Sequence, residues 1–84
     1  MPSHQAPPVI TTLAELKPGR KAVLRRIAGE RAWRRRLMEL GFVPGTELAL
    51  VRRVGVGDVL EVEVRHSRIS LRISEAHALE VEAA

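Results

Sequence analysis

The stretch Arg34-Arg35-Arg36-Leu37-Met38-Glu39-Leu40-Gly41-Phe42-Val43-Pro44-Gly45-Thr46 changes periodicity halfway along. Together with Trp33, the residues Leu37 and Leu40 recur at i, i+4 and i+7, which makes one narrow apolar stripe on a helix. Gly41 stands where such a helix needs its left-handed terminator, since glycine alone takes positive φ without a Cβ penalty. Phe42 follows as an anchor. Pro44-Gly45 then turns the chain into Thr46-Glu47-Leu48-Ala49-Leu50, which alternates as a strand does. A helix, its glycine cap, a tight turn and the start of a sheet are therefore specified within a few residues of one another.

Outward from this centre, the helix spans residues 30–40. It is about three turns long, too short to persist in water without docking. At 100° per residue, Trp33, Leu37 and Leu40 share the core face with Arg36 at its edge. Arg31, Arg34, Arg35 and Met38 fall on the other side, and an outward Met among arginines is the odd feature of this helix. Two explanations stand: Met38 covers a neighbouring loop, or the face contacts a partner, for which both residue types are suited. Arg35 also has Glu39 four residues on as an ion-pair candidate, in the weaker orientation.

N-terminal to the helix, residues 1–10 carry Pro2, Pro7 and Pro8 and read as a mobile tail, leaving 11–84 as one domain. Thr12-Leu13-Ala14-Glu15 has the spacing of a capping box, with Leu13 and Leu16 plugging the core and Pro18-Gly19 ending the turn. Arg20 to Ala28 is a strand of imperfect alternation, with Ala22 and Leu24 on one face and Val23 and Ile27 on the other; a bulge or a strong bend reconciles them. C-terminal to the centre, Thr46 to Val54 places Leu48 and Leu50 inward. The Gly55–Asp58 loop reads as a hairpin turn and not a phosphate cradle, because no helix follows it. Leu60, Val62 and Val64 alternate with charged residues, His66-Ser67 makes a turn, and Ile69, Leu71 and Ile73 point inward from the next strand. Ser74 caps a short helical turn, and Leu79 with Val81 forms a last strand. The chain thus reads as mainly β, with about five strands, one inserted helix and short helical turns near each end.

Composition narrows the function. The 84 residues suffice for one domain that buries about 60–65% of its unfolded surface. There is no cysteine and hence no disulfide, which fits a reducing compartment. No apolar run approaches the roughly 20 residues that span a bilayer, and no signal peptide is visible, so a cytoplasmic chain without membrane insertion is expected. Of 14 basic residues 12 are arginine, with a formal charge of +4. A basic face meets nucleic acid or anionic lipid, whereas charges interspersed with acids such as Glu39, Glu47, Glu61 and Glu63 are an ordinary solvated surface. The residues favour the second. No Ser-His-Asp spacing exists, and His4, His66 and His77 are scattered. We therefore expect neither an enzyme nor a cofactor, and no metal site, the one arrangement to watch being His66 with His77 and Glu75.

The run Arg36-Leu37-Met38-Glu39-Leu40-Gly41-Phe42-x-Pro44-Gly45-Thr46 resembles the central signature of the FeoA family. The similarity extends from Leu13-x-x-Leu16-Lys17-Pro18-Gly19 to Ile69-Ser70-Leu71-Arg72, Glu75-Ala76 and Val81. His66-Ser67 departs from the Gly-Tyr that such domains tend to carry. The resemblance implies a small SH3-like β-barrel acting in bacterial ferrous iron transport. It implies further a protein–protein contact with a FeoB-type GTP-binding permease, and not catalysis. On that reading Arg31, Arg34, Arg35 and Met38 carry the partner contact, and Leu37, Leu40, Gly41, Phe42, Pro44 and Gly45 are the structural signature. The alternative classes are a basic SH3-like nucleic-acid-binding module, disfavoured by the lack of exposed aromatics for stacking, and the C-terminal module of a metalloregulator, which a helix-turn-helix would precede.

Overall fold

The computed structural model describes residues 10–56 and 58–83. Six strands, β1 (Ile10–Thr12), β2 (Lys21–Ile27), β3 (Glu47–Val54), β4 (Val59–Val64), β5 (Ser67–Arg72) and β6 (Leu79–Ala83), are joined by helices α1 (Arg31–Glu39) and α2 (Ile73–Ala76) and a 3₁₀ turn at Leu13–Glu15. They form one sheet in the order β1-β6-β2-β3-β4-β5, with every pair antiparallel. The five strands expected from periodicity are present, and a sixth precedes them. Ile10, assigned above to the tail, opens that strand opposite Glu82. Three residues are too few to show alternation, so only the free edge of β6 reveals them. The rest of the expected tail, His4 included, lies outside the described residues.

Two bulges bend this sheet. In β2 the pairing with β6 shifts between Leu24 and Arg26, which leaves Arg25 unpaired and returns Ile27 to the face of Ala22 and Leu24; all three are buried. The imperfect alternation of that segment is thereby explained. In β3 the register with β4 shifts between Leu50 and Arg52. Arg53 then stands opposite the buried Leu60 and reaches over the core side, where its Nη2 donates to the carbonyl of Ala14 and, at 3.2 Å, to that of Leu16. One guanidinium thus ties the 3₁₀ turn to the bent end of β3. The turn itself buries Leu13 and Leu16 as expected. Its capping differs, because the Thr12 side chain accepts no backbone amide. The Glu15 carboxylate instead accepts the hydroxyls of Thr11 at 3.0 Å and Thr12 at 3.5 Å.

Helix α1 ends in a full Schellman motif. Phe42 N–H donates to Leu37 O and Gly41 N–H to Met38 O, both at 3.0 Å, with Gly41 at φ +110°. The hydrophobic contact that accompanies this motif is supplied by Leu37 and Phe42, both in the core. Phe42 is fully buried, so truncating it to Ala removes about 3–5 kcal/mol. Thr46 N–H then donates to Val43 O at 3.0 Å across Pro44-Gly45. With Gly45 at φ +95°, this is a type II turn. Two further bonds, Gly45 N–H to Leu24 O at 2.7 Å and Leu24 N–H to Thr46 O at 2.9 Å, pin the turn to β2 just before its bulge.

Four local expectations are corrected. Leu40 is not in the core but 49% exposed, because the helix closes at Glu39 and Phe42 takes the core position beyond the glycine. The β4–β5 turn is Arg65-His66, one residue earlier than expected, since Val64 pairs with Ser67; positive φ falls on Arg65 (+57°) and spares His66. Helix α2 begins at Ile73 after Arg72, whose N–H donates to Glu75 Oε1 at 2.9 Å, so Ser74 lies inside the helix and caps nothing. Ile73, expected to point inward from a strand, is instead the half-buried first residue of this helix.

Candidate protein-interaction surface

Nine residues of helix α1 bury a single side chain, Leu37, with Trp33 half-buried beside it. Fully burying one Leu is worth about 1.5–3 kcal/mol, and it leaves most of the helix surface free. Arg31, Arg34, Arg35, Arg36 and Met38 are all exposed, Met38 at 43%. Among the described residues none of these arginines lies within ion-pair distance of a carboxylate, so Arg35 does not pair with Glu39. The strand arginines differ: Arg25 pairs with Glu82 at 2.9 Å and Arg26 with its cross-strand partner Glu80 at 3.0 Å.

The structure divides the four outer-face residues into two pairs. Arg34 and Met38 line a groove of 170 Å³ with Arg25, Arg26, Ile27 and Pro44. Arg31 and Arg35 lie with Ala32, Arg36 and Glu39 around a shallow depression formed by the helix alone. The groove lies beyond the end of the β2–β3 pairing, beside the β2 bulge. Up to Val23, β2 pairs with β3; past the bulge Arg26 and Ile27 pair with β6 only, and α1 with the Pro44 turn borders the space this opens. Arg25 and Arg26 were not singled out from sequence, and Ile27 and Pro44 were read there only as a strand residue and a turn residue. The available signal was the broken alternation of Arg20–Ala28, which announces a bulge without saying what it faces.

The other candidates separate. His66 sits in the exposed β4–β5 turn and His77 is the exposed C-cap of α2. Glu75 accepts the Arg72 amide. Among the described residues no group of three or more His, Cys, Asp or Glu comes close enough to hold a metal ion. At the β3–β4 hairpin Val56 is 92% exposed, the most prominent apolar side chain of the loop. No helix of the described residues is long and apolar enough to cross a membrane.

A family model described as FeoA domain matches residues 11–83. The Fe(2+) transport protein A/Fe(2+) transporter FeoB fusion protein of Porphyromonas gingivalis is 34% identical over 70 residues, which are 83% of this chain and only 8% of that relative. Among solved structures, the solution structure of the FeoA protein of Chlorobium tepidum superimposes with a TM-score of 0.81 at 38% identity, covering 87% of this chain and 70% of that one. The crystal structure of Stenotrophomonas maltophilia FeoA complexed with zinc, described as a prokaryotic SH3 domain protein, gives a TM-score of 0.73 at 41% identity over 84% of this chain and 88% of that one. The six-stranded bent sheet, the Schellman-capped helix and the type II turn are thus the parts of an SH3-like domain, and the chain belongs to the FeoA family, which is linked to ferrous iron transport.

Proposed function

We propose that this chain is a non-enzymatic, cytoplasmic accessory protein of bacterial ferrous iron uptake that docks on the cytosolic part of a FeoB-type GTP-binding permease. The observation that carries the reading is the Porphyromonas gingivalis relative, in which FeoA and FeoB are parts of one polypeptide. Tethering two modules raises their effective concentration for each other to about the millimolar range. A separate chain must supply that contact by its own affinity. The outer face of α1 is the surface we assign to it, supported by the exposure of Arg31, Arg34, Arg35 and Met38 and by the lack of ion-pair partners for the arginines among the described residues.

The test is binding of the purified chain to the cytosolic part of the permease, with iron uptake in cells as the second readout. A variant combining Arg31→Glu, Arg34→Glu, Arg35→Glu and Met38→Ala, with an unchanged melt, is expected to lose both. Wild-type binding and uptake in that variant would move the contact surface elsewhere, first to the Gly55–Asp58 loop with its exposed Val56. Nucleic acid is the competing partner for a chain of charge +4. Its binding is expected to be weak, without sequence preference, and to fall steeply between about 50 and 200 mM salt.

A further inference from the structure

The groove between β2 and α1 has a composition that the outer face of the helix alone does not have. Its apolar elements are Met38 and Pro44 with the largely buried Ile27 beneath them, and its rims carry Arg25 and Arg26 on one side and Arg34 on the other. Its volume is 170 Å³, well below the roughly 300–1,000 Å³ of small-molecule pockets. That is room for one medium-sized side chain, the scale of an anchor residue in a protein interface and not of a free ligand.

We propose that this groove receives an acidic segment of a protein partner, with one aliphatic side chain seated against Ile27 and Met38 and its flanking carboxylates on Arg34 and the β2 arginines. The inference rests on the docking reading above and adds the chemistry of the segment that docks. Charge complementarity carries it. Arg34 has no carboxylate partner among the described residues, so all of its five N–H donors are available to an incoming acid. Arg25 and Arg26 engage Glu82 and Glu80 through Nε and Nη1 respectively, which leaves donors on both guanidinium groups. A carboxylate arriving between the two rims therefore meets the unpaired guanidinium of Arg34 and the remaining donors of Arg25 and Arg26, planar groups that carboxylates accept.

The apolar floor decides against the other anionic partners. A nucleic-acid backbone offers phosphates but nothing to fill the space over Met38 and Ile27, and none of the groove residues is aromatic, so no stacking platform is present. An anionic lipid surface attracts the arginines by charge alone and leaves the apolar part of the groove unused, because inserting it would need a contiguous apolar face. The two exposed apolar residues at the end of α1, Met38 and Leu40, are two positions apart and so point to different sides of it.

The experiment titrates the full chain into three labelled peptides at about 0.15 M ionic strength. One consists of Asp and Glu around a single central Leu, one has Ser in place of that Leu, and one has the acids replaced by Gln. Anionic vesicles and single-stranded DNA are the parallel probes. The acidic Leu peptide is expected to bind best, with Arg34→Glu or Met38→Ala each weakening it about tenfold. Arg31→Glu and Arg35→Glu, outside the groove, are expected to change it less than about threefold. All four positions are exposed, and unchanged melts exclude misfolding as the cause.

Equal affinity for the Leu and Ser peptides, or indifference to Met38→Ala, would leave bare charge attraction and overturn the anchored mode. Preference for vesicles or DNA over the acidic Leu peptide would overturn the partner class. The two readings also fail separately. Loss of permease binding in Arg31→Glu with Arg35→Glu, but not in Arg34→Glu with Met38→Ala, keeps docking and removes the groove. Peptide binding without any permease binding keeps the groove and removes the docking partner.

Discussion

The indole of Trp33 lies so close over Gly29 that a Cβ on the glycine would stand 3.1 Å from Cε3 and 3.3 Å from Cζ3 of the ring. Gly29 also sits at φ +116°, where L side chains are strained. The glycine between β2 and α1 and the aromatic that seats α1 therefore constrain each other. Gly29→Ala is expected to combine the backbone cost with displacement of the ring. Gly45→Ala, at φ +95° with nothing within 4 Å, meets only the first. The prediction is a loss of about 1–3 kcal/mol for Gly29→Ala, visible as a fall in Tm of at least about 4–8 °C, with a smaller fall for Gly45→Ala. Equal melts for the two variants would show that the Trp33 contact carries no energy.

Gly41 closes the helix at φ +110°, and a Cβ there meets Val64 Cγ2 at 3.7 Å, an ordinary contact. Space is not the obstacle; conformation is. Gly41→Val places a β-branched residue in the left-handed region and is expected to cost more than about 1 kcal/mol. Gly41→Asn is expected to cost less, since Asn enters that region more readily. Denaturant midpoints at unchanged slope are the measurement.

Arg53 is exposed by area yet holds two backbone carbonyls, those of Ala14 and Leu16. Arg53→Met keeps the aliphatic stem and removes both donors, and about 1–3 kcal/mol is expected to go with them. Arg53→Lys, with a point charge on a flexible stem, is expected to recover part of it. Hydrogen exchange would show the loss first at the 3₁₀ turn, Leu13–Glu15, before the strands. A uniform loss across the sheet would mean that the guanidinium acts elsewhere.

Calorimetric titration with ferrous or zinc ions is expected to show no site tighter than about 10⁻⁴ M, the range of weak oxygen-ligand sites. The three histidines of the chain supply no described cluster with a third ligand. A micromolar site that disappears in His66→Ala or His77→Ala would overturn this, and would bring the chain into line with the zinc-bound Stenotrophomonas maltophilia protein.

Much of the fold was determined by sequence alone, and the reason is that its deciding signals are local. Gly41 after Leu40, Pro44-Gly45 before an alternating run, and Leu60-Val62-Val64 between charged neighbours each act through φ preference or side-chain period. Such effects operate within a few residues and survive without knowledge of the rest. The helix, five strands and the turn between them follow from these signals.

What only the tertiary structure decided depends on register between distant strands. A bulge is one residue of slip, and its position is set by the partner strand: Glu80 and Val81 place the β2 bulge at Arg25, while Glu61 and Val62 place the β3 bulge at Val51. The first bulge returns Ile27 to the core face and sets Arg25 and Arg26 beside the groove that Arg34 and Met38 line, and the second turns Arg53 toward the 3₁₀ turn. Leu40 shows the same limit at the scale of a helix. Its spacing matches the core stripe, but the helix stops before it, and Phe42 occupies the core from the far side of the glycine. Periodicity assigns a face only while the helix continues; where it ends is settled by what packs beyond it.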